Sequence, residues 1–477
     1  MENGLAARHG GRLGLAALVA ILLLGLGLRV VEAWDGRAPV YDAAAYAAIA
    51  ENLAGGDGFT VGATATQPSS NYSPGLPLFV AGLYKVTGGD HERLARVVLA
   101  LIGALSVLFA YLIGRRLGRA LSRPRSSEVG PAPAPAAPLV RNPPHGVENS
   151  PTAPALVGAL VVAVYPALLE YQGMLMSEPL AATLLSGGVL AVLWAWEGDR
   201  WRWVLPGAVF GALALVRPEY LAIAFLVALV VFAREAADDW RRSLLRAAVF
   251  LAALVVVIAP WTIRNAVAQD RFVPISTGGG QVLFAGTYLP SDGDPEEVGA
   301  EVVSENPDLF QSQAAQRLRL EQILARLAAD RYPEMEADQA LSKLGKEQLW
   351  DGITEEPAEY AGFFATKVWR IWSQGPRDVM QEPVWKMLHW ALVAFGLLGL
   401  AILAWLRRWE ALLLGTIFLA ITALSALLVA SPRRTLVLVP LLAPLTSVAV
   451  AWLASFGGHS THNSPKVPGN PDSLDRT

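Results

Sequence analysis

The residues of this chain that are able to do chemistry include three acids that stand next to long apolar runs. Asp42 begins a short amphipathic stretch after the first apolar run, in VYDAAAYAAIAENLAGGDGF at residues 40–59. Glu178 and Glu219 lie in short turns between later apolar runs. A carboxylate in such a place is able to accept a proton from a hydroxyl group, which is the task of a general base.

Four arginines accompany these acids at the ends of apolar runs. Arg217 stands beside Glu219 in RPEYL, Arg264 lies in PWTIRN, and Arg433 and Arg434 are adjacent in SPRRT. A guanidinium group binds phosphate oxygens through a planar, bidentate fork. Arginines beside carboxylates therefore predict a site for a membrane-embedded phosphate or pyrophosphate substrate, with acid–base chemistry next to it.

Each of these residues also has a purely structural interpretation. An aspartate in the first turn of a helix is a good N-cap and suits the positive end of the helix dipole. Arginines at the ends of apolar runs often extend to the lipid headgroups or pair with neighbouring acids. The functional interpretation depends on the convergence of the whole set on one side of a membrane.

The composition indicates the class of protein that must position these residues. Of the 477 residues, 53% are hydrophobic and 17% are charged, whereas soluble proteins usually have about 25% charged residues. Several apolar runs are long enough to cross a bilayer, so the sequence predicts an all-α polytopic membrane protein. The first run, residues 13–31, is longer than the apolar part of a typical cleaved signal peptide and is interpreted as a retained anchor.

Basic residues between the apolar runs predict the orientation of the chain. Arg8 and Arg12 precede the first run, so the positive-inside rule places the N-terminus in the cytoplasm. Residues 203–232 have basic loops on both sides and Arg217-Pro218-Glu219 at their centre, which predicts a hairpin of two short helices with a buried tip. The whole chain then has about ten spans if the hairpin is counted as two. Both termini are then inside, and the acids and arginines named above face outside.

The chain divides into six predicted parts. They are the first two spans with an external catalytic loop at 34–90 (1–121), a Pro-rich cytoplasmic linker (122–154), a five-span core with the re-entrant-like hairpin 203–232 (155–260), an external α-rich loop domain (261–383), the last three spans (384–456) and a cytoplasmic tail (457–477). The alternating Pro and Ala of the linker do not form a packed core.

The sequence offers little for metal or nucleotide binding. The six histidines lack metal-ligand spacing, and the chain has no cysteine, which excludes thiolate metal sites and cysteine catalysis. The glycines at 277–280 (TGGG) lack the lysine and the strand–loop–helix context of a phosphate-binding loop and are interpreted as a turn. We therefore expect no required cofactor, although Asp42 and Glu178 together offer two ligands for a divalent metal.

The order of the motifs resembles a known family. YDAAAYAAIAENLAGGDGF, YSPGLPLFVAGLY, SEPL, RPEYL, PWTIRN and SPRRTLVLVPLLAPL follow one another over most of the chain. In this order they resemble the GT-C membrane glycosyltransferases of the protein O-mannosyltransferase and aminoarabinose-transferase type. The resemblance implies a GT-C-like fold, a polyprenyl-phosphate sugar as donor and basic residues that hold its phosphate. It also implies a catalytic aspartate in the first external loop, which is Asp42 by motif position.

The resemblance leaves the acceptor open. Protein O-mannosyltransferases usually carry Asp-Glu at the first motif, whereas Ala43 follows Asp42 here. The acceptor is accordingly a glycan, a lipid or a protein, and nothing in the sequence indicates a nucleic-acid partner.

These observations together predict an inverting glycosyltransferase of the plasma membrane that uses a polyprenyl-phosphate-linked hexose or pentose on the external face. Asp42 is the predicted general base, and Glu178 is the second predicted catalytic residue. The predicted substrate-binding residues are two tyrosines of the first external loop, one acid and the four arginines, namely Tyr46, Tyr72, Glu219, Arg217, Arg264, Arg433 and Arg434.

A transporter or flippase for a lipid-linked anion is the alternative function. It uses the same arginines but needs no base at Asp42. Transporters often contain internal repeats of hydropathy, and this sequence shows none. The large single loop at 261–383 also favours an enzyme.

Overall fold

The structure, a computed structural model, describes residues 2–61, 69–89, 91–122, 152–291, 294, 297–310 and 318–457. Within these ranges the chain is mostly helical and has no β-strand, so the predicted all-α fold class is confirmed. The Pro-rich linker and the C-terminal tail, two of the six predicted parts, lie almost entirely outside the described residues.

The helices follow one another along the chain with short connections. They are α1 (Glu2–Trp34), α2 (Asp42–Gly55), α3 (Gly75–Thr87), α4 (Glu92–Ser122), α5 (Thr152–Val164), α6 (Pro166–Glu170), α7 (Ser177–Ala195), α8 (Val204–Val216), α9 (Tyr220–Gln269), α10 (Gly279–Thr287), α11 (Val298–Glu305), α12 (Leu320–Arg331), α13 (Ala337–Glu355), α14 (Pro357–Ser373), α15 (Pro383–Trp405), α16 (Trp409–Leu427), α17 (Arg433–Leu436) and α18 (Val439–Gly457).

Many of these helices are long and apolar enough to cross a bilayer. In the described part of the chain six helices meet this criterion, or seven if the bent pair α5 and α6 forms one span. The sequence predicts about ten, and the difference has a structural reason. The 50-residue helix α9 joins two predicted spans across a kink at Asp239, while α8 and the apolar part of α18 are shorter than a full span. The chain is thus a multi-pass membrane protein.

The run at residues 203–232 breaks where the sequence predicts. Helix α8 ends at Val216, and α9 begins at Tyr220 after the turn Arg217-Pro218-Glu219. With 13 residues, α8 is about 20 Å long, which is less than the ~30 Å apolar core of a bilayer. Arg217 is buried, so the turn lies inside the protein as predicted.

Small residues let α8 pack closely against the second half of α9. A Cβ atom on Gly207 would lie 2.2 Å from the backbone oxygen of Phe250, and one on Gly211 would lie 2.9 Å from Cβ of Val257. Close approach of backbones at small residues is typical of helices in membranes. These contacts determine where α8 presents the turn that contains Arg217.

Helices α10 to α13 form a second, smaller apolar core within the predicted loop domain at 261–383. Phe284, Val302, Leu324 and Leu341 are among its buried members. The domain is joined to the membrane helices through α14, which packs against α16 and α17.

Two predicted boundaries in this region differ from the structure. The predicted division between the five-span core and the loop domain at residues 260 and 261 falls inside a helix, because α9 continues through Pro260 to Gln269. The predicted turn at 277–280 ends early, because Gly278 adopts a left-handed conformation with φ 90° and α10 begins at Gly279. The carboxylate of Asp338, from α13, accepts a hydrogen bond from the Gly280 amide at 2.8 Å. This long-range cap stabilises a helix that the local sequence does not indicate.

Candidate active site

Charged residues from four separate parts of the chain meet in one place. The acids come from the starts of α2 and α7 and from the turn before α9, and the arginines come from that turn and from the start of α17. This charged cluster consists of Asp42, Glu178, Arg217, Glu219, Arg433 and Arg434, all of them predicted site residues.

Ion pairs connect five members of the charged cluster in a row of alternating charge. Nη2 of Arg433 lies 2.9 Å from Oδ2 of Asp42, and its Nε lies 3.6 Å from Oε1 of Glu178. The same oxygen of Glu178 lies 3.2 Å from Nη1 of Arg217. Nε of Arg217 in turn donates a hydrogen bond of 3.0 Å to Oε1 of Glu219. Arg433 therefore contacts Asp42, the predicted base, and the row of ion pairs continues from Arg433 into the protein.

Arg434 lies at the inner end of this row. Together with Glu219, Tyr220 and Ser425 it lines a cavity of about 10 Å³. A space of this size holds about one water molecule, which is much smaller than a phosphate group. Burial lowers the pKa of the Arg434 guanidinium, and the charge of Glu219 opposes that effect. Arg434 therefore supports the row electrostatically from inside the protein.

The charged cluster has an accessible end and a buried end. The side chains of Asp42 and Arg433 are 37% and 39% exposed, whereas those of Arg217 and Glu178 are 10% and 1% exposed. A bound molecule therefore reaches Asp42 and Arg433 first. Within the described residues, Oε2 of Glu178 is buried without a hydrogen-bond partner. It is an available acceptor directly behind Arg433.

The local structure at Asp42 does not support the N-cap interpretation. Helix α2 begins at Asp42 itself, and the preceding residue, Tyr41, makes no side-chain capping hydrogen bond. Tyr41 has a positive φ of 50° with ψ −124°, a backbone conformation that is strained for a residue other than glycine. Such strain is concentrated at functional sites. The carboxylate of Asp42 contacts Arg433 of α17 rather than the amides of its own helix.

Two tyrosines of the first loop lie within electrostatic reach of Asp42. The rings of Tyr46 and Tyr72 meet edge to face with 5.8 Å between their centroids. Burial raises the pKa of the Tyr46 hydroxyl, and the negative charges of Asp42 and Glu178 raise it further. Burial also raises the pKa of Tyr72. Both hydroxyls therefore keep their protons and are available as hydrogen-bond donors.

Arg264 has different neighbours from the other predicted arginines. Its Nη1 donates to the backbone oxygen of Ser69 at 2.9 Å. Its guanidinium lies 4.9 Å from the ring centroid of Trp261 and 5.5 Å from that of Phe59. These contacts attach the first loop to the end of α9. The structure thus places Arg264 outside the charged cluster, and its contacts indicate a structural task.

Sequence reasoning misses three residues next to the charged cluster. Arg377 forms an ion pair with Glu170, and its guanidinium lies 5.5 Å from the ring centroid of Tyr171. Tyr171 lies within electrostatic reach of Glu178 and Arg433. A signal exists for Glu170 and Tyr171, which stand in the same short turn as Glu178. Arg377 follows α14 in a stretch without a recognisable motif.

An apolar cavity of about 270 Å³ is lined in part by residues that lie within four positions of Glu170 and Arg377 along the chain. Its walls come from α5, α6, α15 and α18 and include Tyr165, Pro166 and Met380. Pro166 is one helical turn before Glu170, and Met380 is three residues after Arg377. The cavity is therefore connected to the charged groups at two points along the chain.

Lys367 is a further buried cation that the sequence does not reveal, because a single lysine in an amphipathic helix gives no signal. It lies in α14 and donates to the backbone oxygen of Leu428 at 2.8 Å and to that of Gly286. Burial lowers the pKa of its amine to about 7, and the charges of Arg434 and Arg370 act in the same direction. Lys367 thereby holds the end of α16, from which the chain leads to Arg433.

The two acids that the sequence offers as metal ligands are joined by Arg433, which contacts both Asp42 and Glu178. Among the described residues there is no group of three His, Asp or Glu side chains with the geometry to hold a metal ion.

Solved structures match the fold of this chain. AglB oligosaccharyltransferase from Archaeoglobus fulgidus, in complex with an inhibitory peptide and a dolichol-phosphate, aligns with a TM-score of 0.51 and 16% identity over 94% of this chain and 52% of AglB. The oligosaccharyltransferase of the same organism in complex with Zn and sulfate aligns with the same score and identity over 92% and 49% of the two chains. ArnT from Cupriavidus metallidurans bound to undecaprenyl phosphate aligns at a TM-score of 0.38 and 17% identity over 91% and 78%.

No protein-family model matches the sequence, and no curated protein matches it significantly. The chain spans about half the length of the oligosaccharyltransferase structures that it matches. At 16% identity the likeness to AglB shows the fold. The GT-C-like fold that the motifs predict is therefore confirmed.

Proposed function

We propose that this chain is a membrane glycosyltransferase that transfers a sugar from a polyprenyl-phosphate donor to an acceptor. The observation that carries the proposal is the contact of 2.9 Å between Asp42 and Arg433 at the accessible end of the charged cluster. In a glycosyl transfer, the acceptor oxygen and the leaving phosphate are both close to the anomeric carbon in the transition state. In a single displacement they lie on opposite faces of that carbon, so a base for the first and a guanidinium for the second are needed within one site.

The apolar cavity next to Arg377 supports a lipid-linked donor. An isoprenoid chain in this cavity is surrounded by apolar side chains, while its phosphate lies near the arginines at the membrane surface. AglB, which shares the fold, was solved with a dolichol-phosphate. A polyprenyl phosphate is the carrier that suits both observations.

In the proposed reaction Asp42 takes the proton of the acceptor hydroxyl as its oxygen attacks the anomeric carbon. The bond between that carbon and the phosphate oxygen breaks, and the lipid phosphate leaves with the bonding electrons. Arg433 stabilises the charge that develops on the leaving group. A single displacement of this kind inverts the anomeric configuration.

The remaining members of the site have supporting tasks in this proposal. Tyr46 and Tyr72 donate hydrogen bonds to the sugar or to the acceptor. Glu178 holds Arg433 and Arg217 in position through its two ion pairs. The loops that carry these residues are the ones for which the basic residues of the sequence predict an external location, so we place the reaction on the external face of the plasma membrane.

The proposal is tested by supplying purified protein with a panel of labelled decaprenyl-phosphate-linked hexoses and pentoses and measuring the release of decaprenyl phosphate. Asp42→Asn is the matched variant, because asparagine keeps the shape of the side chain but does not accept a proton at neutral pH. Loss of a general base usually lowers the rate about 100- to 10,000-fold. We expect a loss in this range, with the protein still folded.

Two outcomes contradict the proposal. One is that no member of the panel releases decaprenyl phosphate. The other is that the Asp42→Asn protein turns over within about threefold of the wild type, far inside the range for a lost base. Movement of the labelled lipid across the bilayer of proteoliposomes, unchanged in Asp42→Asn, would establish the transporter instead.

A further inference from the structure

Asp42 and Arg433, the two groups that the proposed reaction needs, are bound to each other in this structure. Oδ2 of Asp42 accepts a hydrogen bond of 2.9 Å from Nη2 of Arg433. While this contact holds, Oδ2 has one lone pair fewer for an acceptor hydroxyl, and its charge is partly neutralised by Arg433. The N–H in the contact is not available to a phosphate oxygen. Opening this ion pair therefore makes both groups fully available for the proposed reaction.

Arg433 is arranged so that it can change partners without losing its position. Its Nε lies 3.6 Å from Oε1 of the buried Glu178, on the same edge of the planar guanidinium as Nη2. The side chain is 39% exposed. A rotation of the guanidinium about Nε is therefore able to move Nη2 from Asp42 to an incoming anion while Nε stays next to Glu178.

The other two arginines of the charged cluster are not open to a phosphate group. Arg217 is 10% exposed and already contacts both Glu178 and Glu219. Arg434 faces a cavity of about 10 Å³. Arg433 is thus the member of the cluster that an incoming phosphate reaches.

The charge balance of the cluster favours an exchange. Three carboxylates and three guanidinium groups give a net charge of zero when all are ionised. A phosphate that binds to Arg433 adds negative charge next to Asp42, which weakens the contact between Asp42 and Arg433. Asp42, at 37% exposure, is able to hydrate its charge in water, whereas Glu178 is buried and is not.

We propose that the phosphate of the donor takes Arg433 away from Asp42, and that this exchange frees the Asp42 carboxylate to act as the base. The inference rests on the function proposed above and adds an order to it. The donor binds first, and an acceptor that arrives without the donor meets a carboxylate occupied by Arg433. Only an ion pair and a hydrogen bond change in this step, and no covalent bond is made or broken.

The exchange has a measurable consequence, because Asp42 and the phosphate compete for one guanidinium. Part of the binding energy of the phosphate is used to separate Asp42 from Arg433. Removing the charge of Asp42 therefore strengthens phosphate binding, although it lowers the rate of turnover. A base that does not compete with the donor predicts an unchanged affinity.

The experiment measures the affinity of full-length protein in nanodiscs for decaprenyl phosphate. We expect Asp42→Asn to bind this lipid about tenfold more tightly than the wild type, the effect of about one charge-assisted contact. Arg433→Gln should bind it about tenfold more weakly. In the Arg433→Gln background, Asp42→Asn should then bring no further gain. Glu92→Gln is the matched control, since it frees Arg96 from an ion pair in another part of the fold, and it should leave the affinity unchanged.

Several outcomes overturn the proposal. Unchanged or weaker binding by Asp42→Asn excludes competition for Arg433, and this measurement does not depend on the folding of any arginine variant. Equal tightening in the Arg433→Gln background shows that Asp42 repels the phosphate through space instead of sharing a partner with it. If the wild type neither binds decaprenyl phosphate nor releases it from a sugar, the proposed function fails as well. If the enzyme is active but its Asp42→Asn variant binds decaprenyl phosphate no more tightly than the wild type, only the proposed exchange is excluded. The proposed function then still stands.

Discussion

Arg264 and Arg433 carry the same charge, but their neighbours give them different tasks. Arg433 faces the carboxylates of Asp42 and Glu178. Arg264 instead contacts the Ser69 backbone oxygen and two aromatic rings. A guanidinium that is satisfied by a carbonyl and by ring faces stabilises the loop that it crosses. Position at the end of an apolar run is therefore not enough to assign an arginine to a phosphate.

The task of Arg264 is tested by Arg264→Ala. A hydrogen bond from a charged group contributes about 1.5–3 kcal/mol, and partial exposure of this side chain favours the lower limit. We expect a lower melting temperature in detergent and an affinity for decaprenyl phosphate within about twofold of the wild type, since a twofold change is well under 1 kcal/mol. Tenfold weaker binding at an unchanged melting temperature would instead assign Arg264 to the donor phosphate.

The charged cluster could be predicted from the sequence because charge is costly inside a membrane. Glu219 and Arg217 at the centre of an apolar run need a reason for being there, and function is a common one. The sequence does not show which arginine meets which acid, because those pairs join residues far apart in the chain. It also misses Lys367 and Arg377, whose surroundings exist only after α14 has packed against the membrane helices.

At the scale of the helices, the contact between α8 and α9 is the one that sets the position of Arg217. Helix α8 is too short to be held by lipid along a full span. Its position therefore depends mainly on its packing against Phe250 and Val257. A displaced α8 would move Arg217 away from Glu178, which is 3.2 Å away from it.

Gly207→Ala tests this contact. The added Cβ would lie 2.2 Å from the backbone oxygen of Phe250, so one of the two helices has to move. Overpacking of this kind costs about 1–3 kcal/mol. We expect a lower melting temperature and reduced release of lipid phosphate. Gly415→Ala in α16 is the matched control, because nothing lies within 4 Å of its added Cβ. Similar behaviour of the two variants would show that the contact is not needed.

The helices differ in how far the local sequence predicts them. Apolar runs indicate most helix boundaries, and the pair Gly55-Gly56 indicates the end of α2. Gly56 follows the last residue of α2 and has a left-handed conformation with φ 99°. Helix α10 is not predicted, because one amide of its first turn, that of Gly280, is capped by Asp338 from another helix. Interactions that join distant parts of the chain leave no periodic pattern in the sequence.

For the whole molecule, the clustering of the six charged residues is related to the predicted topology. Positive-inside reasoning places the loops that carry Asp42, Glu178, Glu219 and Arg433 on one side of the membrane. In the structure the residues of these loops are in contact with one another. Loops on opposite sides of a ~30 Å apolar core cannot meet in this way. The packing therefore supports the relative placement of the loops, while the direction across the membrane depends on the basic residues alone.

Single cysteines test that direction, and the absence of natural cysteines leaves no background reaction. Ala237, near the kink of α9, and Ala329, in α12, are both exposed alanines on helices. Ala329→Cys should react with a membrane-impermeant maleimide added to intact cells, because α12 belongs to the loop domain predicted outside. Ala237→Cys should react only after the membrane is permeabilised, since basic residues surround it. The reverse pattern would place the charged cluster on the cytoplasmic face. The donor would then be used on the cytoplasmic side, opposite to the side proposed.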